Sequence, residues 1–203
     1  TETFLPRGQA ERGLELLVLG SHHQPERVLR VLRVVSELQK SGVETRLRIA
    51  GRLAWPGSEG DIHRLARELQ ISDSIRVTGQ YSQQEAPSIY ASADILVHLQ
   101  DKDSSPTVPL EAMACGVLVV APASGGLPEL LGEEGGVLLP VPFDWDQFHL
   151  PSVPDLVRAV RQLANERLVK RGAARDRVVQ LFSKEHWLRR HQSLFSRILA
   201  ERD

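Results

Sequence analysis

The 203-residue chain has one cysteine, Cys115, so it forms no internal disulfide, and a framework of small disulfide-bonded modules is excluded. Aromatic residues make up 5 %, and nowhere do about 18 apolar residues run together, so no spanning helix is expected and the N-terminus lacks an apolar signal core. Charge of one sign is lacking too. Against 25 basic residues stand 26 acidic ones, and a net charge of -1 gives no electrostatic reason to expect nucleic acid as a partner. The single methionine is Met113 and residue 1 is threonine, so the chain is expected to begin inside a longer gene product. The seven histidines show no pair at metal-ligand spacing with acids to match, and no metal is expected. Cys115, set in a small-residue helix, reads as packing rather than reactivity.

What the chain does have is concentrated in residues 103–122. A polar loop carries Asp103, a short helix carries Glu111 eight positions later, and residues 117–120 are a fully apolar run suited to a strand covered on both faces. Ser105 is expected to cap that helix, Pro106 to open it and Gly116 to end it. A helix N-terminus above a parallel sheet offers free amides and a positive dipole end to an anion such as a phosphate.

Two acids separated by seven residues, then Glu111, Ala112, Met113, Ala114, Cys115, Gly116 and a valine-rich strand, resemble the donor-site signature of the family-four (group 1) retaining glycosyltransferases of GT-B fold. The resemblance runs from about Leu14 to the C-terminus. It takes in Ala93, Asp94, Ile95, Leu96 and Val97 upstream, and Gly125, Gly126, Leu127, Pro128 and Glu129 downstream. It implies the C-terminal, donor-binding half of such an enzyme, using a UDP or GDP sugar without a metal or other cofactor. The first acid departs from the family's usual glutamate-glycine, being Asp103 followed by Ser104.

Taken in order, residues 1–13 read as a linker and residues 14–20 as the first strand. Residues 25–42 are predicted helical from the spacing of Val28, Val31 or Leu32, Val35 and Leu38, with Pro25 and Gly42 as its ends. Residues 43–51 alternate, Arg46 and Arg48 opposing Leu47 and Ile49. That pattern implies either thin helical cover or contact with a missing partner domain. A helix over 82–91, interrupted or begun by Pro87, follows a helix over 61–70 and a strand over 74–79, and a strand over 93–99 comes next. Beyond residue 122 come a glycine turn, a short helix over 127–131 and a sixth strand over 136–140. Phe143, Trp145 and Phe148 crowd the next loop, read as rings tucked beneath it in preference to a binding surface. Three helices are expected near 153–165, 166–181 and 183–201.

Six alternating strands give an α/β fold with a doubly wound, six-stranded parallel, Rossmann-like sheet and extra C-terminal helices. Residues 14–182 form the expected nucleotide-sugar domain. Residues 183–203 form a helix that, in the resembling family, braces the other domain, its apolar face set by Trp187, Phe195 and Ile198. Ligands bind such sheets beyond the carboxyl ends of the strands, so the loops 20–24 and 100–107 share a crevice.

For the site, the resemblance implies that Glu111 accepts hydrogen bonds from ribose hydroxyls and that Asp103, the candidate catalytic acid, contacts sugar hydroxyls. The amides of Thr107 and Val108 are expected to meet the sugar or phosphate, and Gly20, Ser21 and Ser105 are further expected substrate-binding residues. Gln80 and Tyr81 touch the base, although Tyr81 serves equally as core. The family places an arginine after the first-strand glycine and a lysine soon after, where this chain has Ser21 and, without a gap, Glu26. A carboxylate beside a diphosphate would repel it by on the order of a kilocalorie. Shifting one residue puts Arg27 in the lysine's place, or else Arg27 is a surface residue. His98 reads as a satisfied strand-end histidine. The partners expected are the nucleotide sugar and a sugar, lipid or polysaccharide acceptor bound through the missing domain. A cytoplasmic location is expected, with contact at the inner face of a membrane left open. The rival reading is a degenerate domain kept as a binding or docking module, for which Ser21 and Glu26 argue.

Overall fold

A computed structural model of the chain describes residues 13–201, so all but the last residue of the linker read at 1–13 lies outside the described residues. Six strands form one all-parallel sheet: β1 (Leu14–His22), β2 (Thr45–Leu53), β3 (Ile75–Gly79), β4 (Ile95–Val97), β5 (Leu118–Pro122) and β6 (Gly136–Leu139). Their order is β3-β2-β1-β4-β5-β6. The winding reverses between β1 and β4, and the crevice therefore opens above the carboxyl ends of those two strands. This is the doubly wound sheet that the alternation of elements predicts.

The described residues form seven α-helices, α1 (Glu26–Lys40), α2 (Ser58–Glu68), α3 (Ala86–Ala91), α4 (Thr107–Ala114), α5 (Leu127–Leu131), α6 (Val153–Phe182) and α7 (Lys184–Ala200), the last of which packs against α6. Val28, Val31, Leu32, Val34, Val35 and Leu38 of α1 are fully buried. At about 1.5–3 kcal/mol per buried side chain, that stripe anchors the helix whose first turn reaches the crevice. Every residue of β5 is buried, as an apolar strand covered on both faces requires.

Several expectations are corrected. Pro106 occupies the cap position of α4 with extended backbone, Thr107 is the first helical residue, and the Ser105 hydroxyl makes no capping bond. Proline's fixed φ suits either place, and Ser105 turns instead toward Asp103, donating its amide to Oδ1 at 3.3 Å. Of the two readings of 82–91, the helix begun at Pro87 is the nearer: α3 starts at Ala86 with Pro87 in its first turn, and Glu85 accepts from the Ser82 amide at 2.8 Å and its hydroxyl at 2.7 Å in a separate turn before it. Helices expected over 153–165 and 166–181 are one 30-residue helix, α6. Asn165 and Glu166 at the supposed junction include no proline or glycine, and the Lys170–Glu166 pair at 2.9 Å ties the turns across it. The arginine row of β2 finds partners within the chain. Arg46 pairs with Glu15 and Glu44, and the half-buried Arg48 donates to Ser92 Oγ at 3.0 Å beside the six-residue α3.

The α7 helix has no buried residue, and Trp187 and Phe195 are 56 % and 58 % exposed. No helix of the described residues is long and apolar enough to cross a membrane.

Candidate functional site

The crevice floor is bare backbone. Gly20 (φ +127) pairs in register with Gly51 (φ +109), and a Cβ on Gly51 would stand 2.0 Å from the Gly20 carbonyl oxygen, so only glycine permits that approach. Two cavities meet over this floor, sharing Gly20, Ser21 and Val108. One, of about 410 Å³, is lined by His22, Arg27, His98, Gln100 and Asp103. The other, of about 560 Å³, is lined by Arg52, Gln80, Tyr81 and Glu111. The two acids of the 103–122 stretch thus face neighbouring cavities joined across the end of β1.

In the first cavity Asp103 is a third exposed or less, with His98 Nε2 3.4 Å from Oδ2. The neighbouring imidazole holds the carboxyl below its ordinary pKa, burial opposes it, and the bond from the Ser105 amide helps. The acid is ionised at neutral pH. The loop that carries it rests on the glycine turn: Gly126 N donates to Asp103 O at 2.8 Å, and Lys102 N to Ser124 Oγ at 3.0 Å. A Cβ on Gly125 (φ +59) would stand 2.2 Å from the Asp103 carbonyl oxygen. The sequence marks that glycine pair as a turn; its close approach to the Asp103 loop emerges only in the fold.

Arg27 is drawn into the cavity, and it is no surface residue. It donates to Gln100 Oε1, and its guanidinium stacks over Phe148 at 4.8 Å. Burial lowers its pKa, while Asp101 and Asp103 act to raise it, and a guanidinium stays charged in any case. Glu26 lines neither cavity. It turns along α1 to Arg30 at 3.6 Å and Arg33 at 3.1 Å.

His22 is buried with its pKa pushed down to about 4, first by burial, then by Arg27 and His98, with a bond to the Ala50 backbone opposing. The imidazole is neutral. Buried polar atoms without a hydrogen-bond partner gather here, namely His22 Nε2, Arg27 Nε, Asp101 Oδ1 and His98 Nε2; His98, expected to be a satisfied strand-end histidine, approaches Asp103 without a hydrogen bond. Buried polar groups of this kind are normally met by a protein, water or ligand partner.

In the second cavity Glu111 stands one turn into α4, and Tyr90 fixes it by donating its hydroxyl to Oε2 at 2.7 Å. Tyr90 is fully buried, and burial followed by the Glu111 charge raises its pKa far above the usual phenol. Half-buried Tyr81 both packs on the core and lines the cavity, its pKa raised by burial and by Glu111. Exposed Gln80 lines the cavity with it. Ser105 and Thr107 are exposed and line neither cavity, whereas Val108 lines both.

Arg52, Gln100 and Lys102 were not singled out by sequence. Arg52 follows Gly51 as Ser21 follows Gly20, and that parallel was the available signal. The aromatic loop divides: Phe148 is tucked under Arg27, but Phe143 and Trp145 are 79 % and 73 % exposed and meet edge to face at 5.4 Å. Lys102 Nζ ties the loop to the site by donating to Gln147 O at 2.6 Å.

Fold and cleft together define an α/β domain with a crevice at its winding reversal, lined by Asp103 and Glu111 and by Arg27 of the first crossover. The chain belongs to the group 1 glycosyl transferases, whose family matches residues 6–150. It is 33 % identical over 159 residues, 75 % of this chain and 36 % of the relative, to the D-inositol 3-phosphate glycosyltransferase of Corynebacterium aurimucosum. Sucrose-phosphate synthase of Thermosynechococcus elongatus superposes with a TM-score of 0.76 at 20 % identity, over 98 % of this chain and 51 % of that one. Anabaena HepE in complex with UDP-glucose superposes with a TM-score of 0.65 at 15 % identity, over 81 % and 43 %. At these identities the structural likeness is one of fold. The chain spans between 36 and 51 % of the length of the three proteins.

Proposed function

We propose that the chain is the donor-binding half of a retaining glycosyltransferase that moves a hexose from a UDP or GDP sugar to an acceptor held by a further domain. One observation carries this reading: Asp103 and Glu111 open on two cavities that join over Gly20 and Ser21. Each cavity is large enough for one portion of a sugar nucleotide, and their shared floor is where its diphosphate would cross. In this reading Glu111, held by Tyr90, accepts bonds from the ribose hydroxyls beside Gln80 and Tyr81. Ionised Asp103 accepts bonds from hydroxyls of the transferred sugar. Arg27 and the amides at the start of α4, Val108 among them, offset charge on the departing diphosphate, so the protein's own cations serve in place of a metal. The family to which the chain belongs and a structural neighbour bound to UDP-glucose support the donor class. The acceptor is a sugar, lipid or polysaccharide, and the reaction takes place in the cytoplasm or at the inner face of its membrane.

Isothermal titration with UDP, GDP and ADP tests the reading. One of them should bind, with binding abolished in Glu111→Ala and weakened in Arg27→Ala. Absence of binding by all three, with an intact circular dichroism spectrum, would favour the degenerate docking module.

A further inference from the structure

We infer that Arg52 holds the diphosphate that crosses the cleft floor, as the second cation of a two-arginine clamp whose other member is Arg27. The inference rests on the donor reading above and assigns a residue to it.

Register comes first. Ser21 on β1 pairs directly with Arg52 on β2, and neighbouring strands lie about 4.8 Å apart with paired side chains on the same side of the sheet. Both residues are exposed, and both line the cavity that contains Glu111. Ser21 also lines the cavity that contains Arg27 and Asp103. Arg27 and Arg52 thus stand on opposite sides of the Gly20 and Ser21 floor, and a ligand that reaches from the Glu111 cavity into the Asp103 cavity passes between them.

Charge comes second. Arg27 is already engaged by Gln100 and faces Asp101 and Asp103, so much of its field is offset before a ligand arrives. Among the described residues the Arg52 side chain makes no hydrogen bond and no ion pair. Glu26, the nearest acid to Arg27 in sequence, is committed to Arg30 and Arg33. An uncommitted guanidinium at the rim of a glycine floor suits a dianionic, oxygen-rich group, which it meets with paired donors.

The test is calorimetric titration of the wild type, Arg52→Ala, Arg52→Lys and Arg64→Ala with UDP, GDP, uridine, guanosine and inorganic pyrophosphate. Arg64 pairs with Asp61 on the surface and serves as a charge-matched control. Arg52→Ala should weaken the preferred nucleoside diphosphate roughly tenfold or more, and its nucleoside less than twofold. Arg52→Lys should recover part of that loss, and Arg64→Ala should match the wild type. Equal loss of nucleotide and nucleoside would move Arg52 to the base or ribose and overturn the inference, as would a nucleotide affinity unchanged in Arg52→Ala. A wild type that binds no nucleoside diphosphate would sink the donor reading. Pyrophosphate binding that needs Arg52 would then still uphold the clamp, and pyrophosphate binding that does not need it, or none at all, would overturn it.

Discussion

Replacing Gly125 with alanine tests whether the glycine turn positions Asp103. Gly125 holds φ +59, a conformation costing a residue with a Cβ about 1–2 kcal/mol. The new methyl would lie 2.2 Å from the Asp103 carbonyl oxygen and 2.7 Å from its carbonyl carbon. To restore ordinary contact near ~3.5 Å the 101–105 loop must retreat by roughly an ångström, and overpacking of that kind costs about 1–3 kcal/mol. Gly57 supplies the control, because its φ is +73 and a Cβ there would have nothing within 4 Å, so alanine meets only the backbone cost. Urea denaturation should show Gly57→Ala destabilised by about 1–2 kcal/mol, and Gly125→Ala by a further 1–3 kcal/mol or so. Titration with the preferred nucleotide sugar should show Gly57→Ala within about twofold of wild type and Gly125→Ala weakened roughly tenfold. Equal stabilities and equal affinities in the two variants would refute the positioning role. A destabilised Gly125→Ala that binds normally would remove Asp103 from the donor site.

Tyr90→Phe removes the fixed donor to Glu111; it should cost about 1.5–3 kcal/mol of stability and weaken nucleotide several-fold, measured by urea denaturation and titration. Unchanged nucleotide affinity would show that Glu111 needs no such hold. His22, with a folded pKa near 4 against 6.5 unfolded, takes up its proton more readily in the unfolded chain. Its contribution to stability is therefore present above pH 6.5 and lost as pH falls from 6.5 toward 4, by at most about 3 kcal/mol. His22→Asn, which keeps a donor for the Ala50 carbonyl, should flatten the stability profile over that window, and an identical profile would contradict the burial argument. Burial pushes the Cys115 thiol up to about 12, so at pH 8 an aromatic disulfide reagent should label it only at the rate of unfolding. Rapid labelling of the native chain would contradict that.

The features legible in the sequence were those set by local period or fixed spacing. The stripe of α1, the apolar run of β5 and the interval between Asp103 and Glu111 each declare themselves within one or two turns of chain. What stayed hidden depends on long-range pairing. Arg52 enters the cleft because β2 lies against β1 in register, 31 positions from Ser21. Tyr90 meets Glu111 across 21 positions, and Phe148 meets Arg27 across more than a hundred. The inward turn of Arg27 was an open alternative until α1 showed its first turn aimed at Gln100, with Glu26 drawn along the helix to Arg30 and Arg33. The unbroken α6 was missed for a different reason: a stretch from 164 to 173 without buried side chains imitates a break, although nothing in its backbone stops the helix.

The most direct measurement is the set of amide shifts in an isotope-labelled chain titrated with UDP or GDP. The account predicts that the largest changes fall on Gly20, Ser21, Arg27, Gly51, Arg52, Gln80 and residues 103–111, saturating with a single affinity. Changes confined to α7 or to the outer face of α2, with Gly20 and Glu111 unmoved, would contradict it.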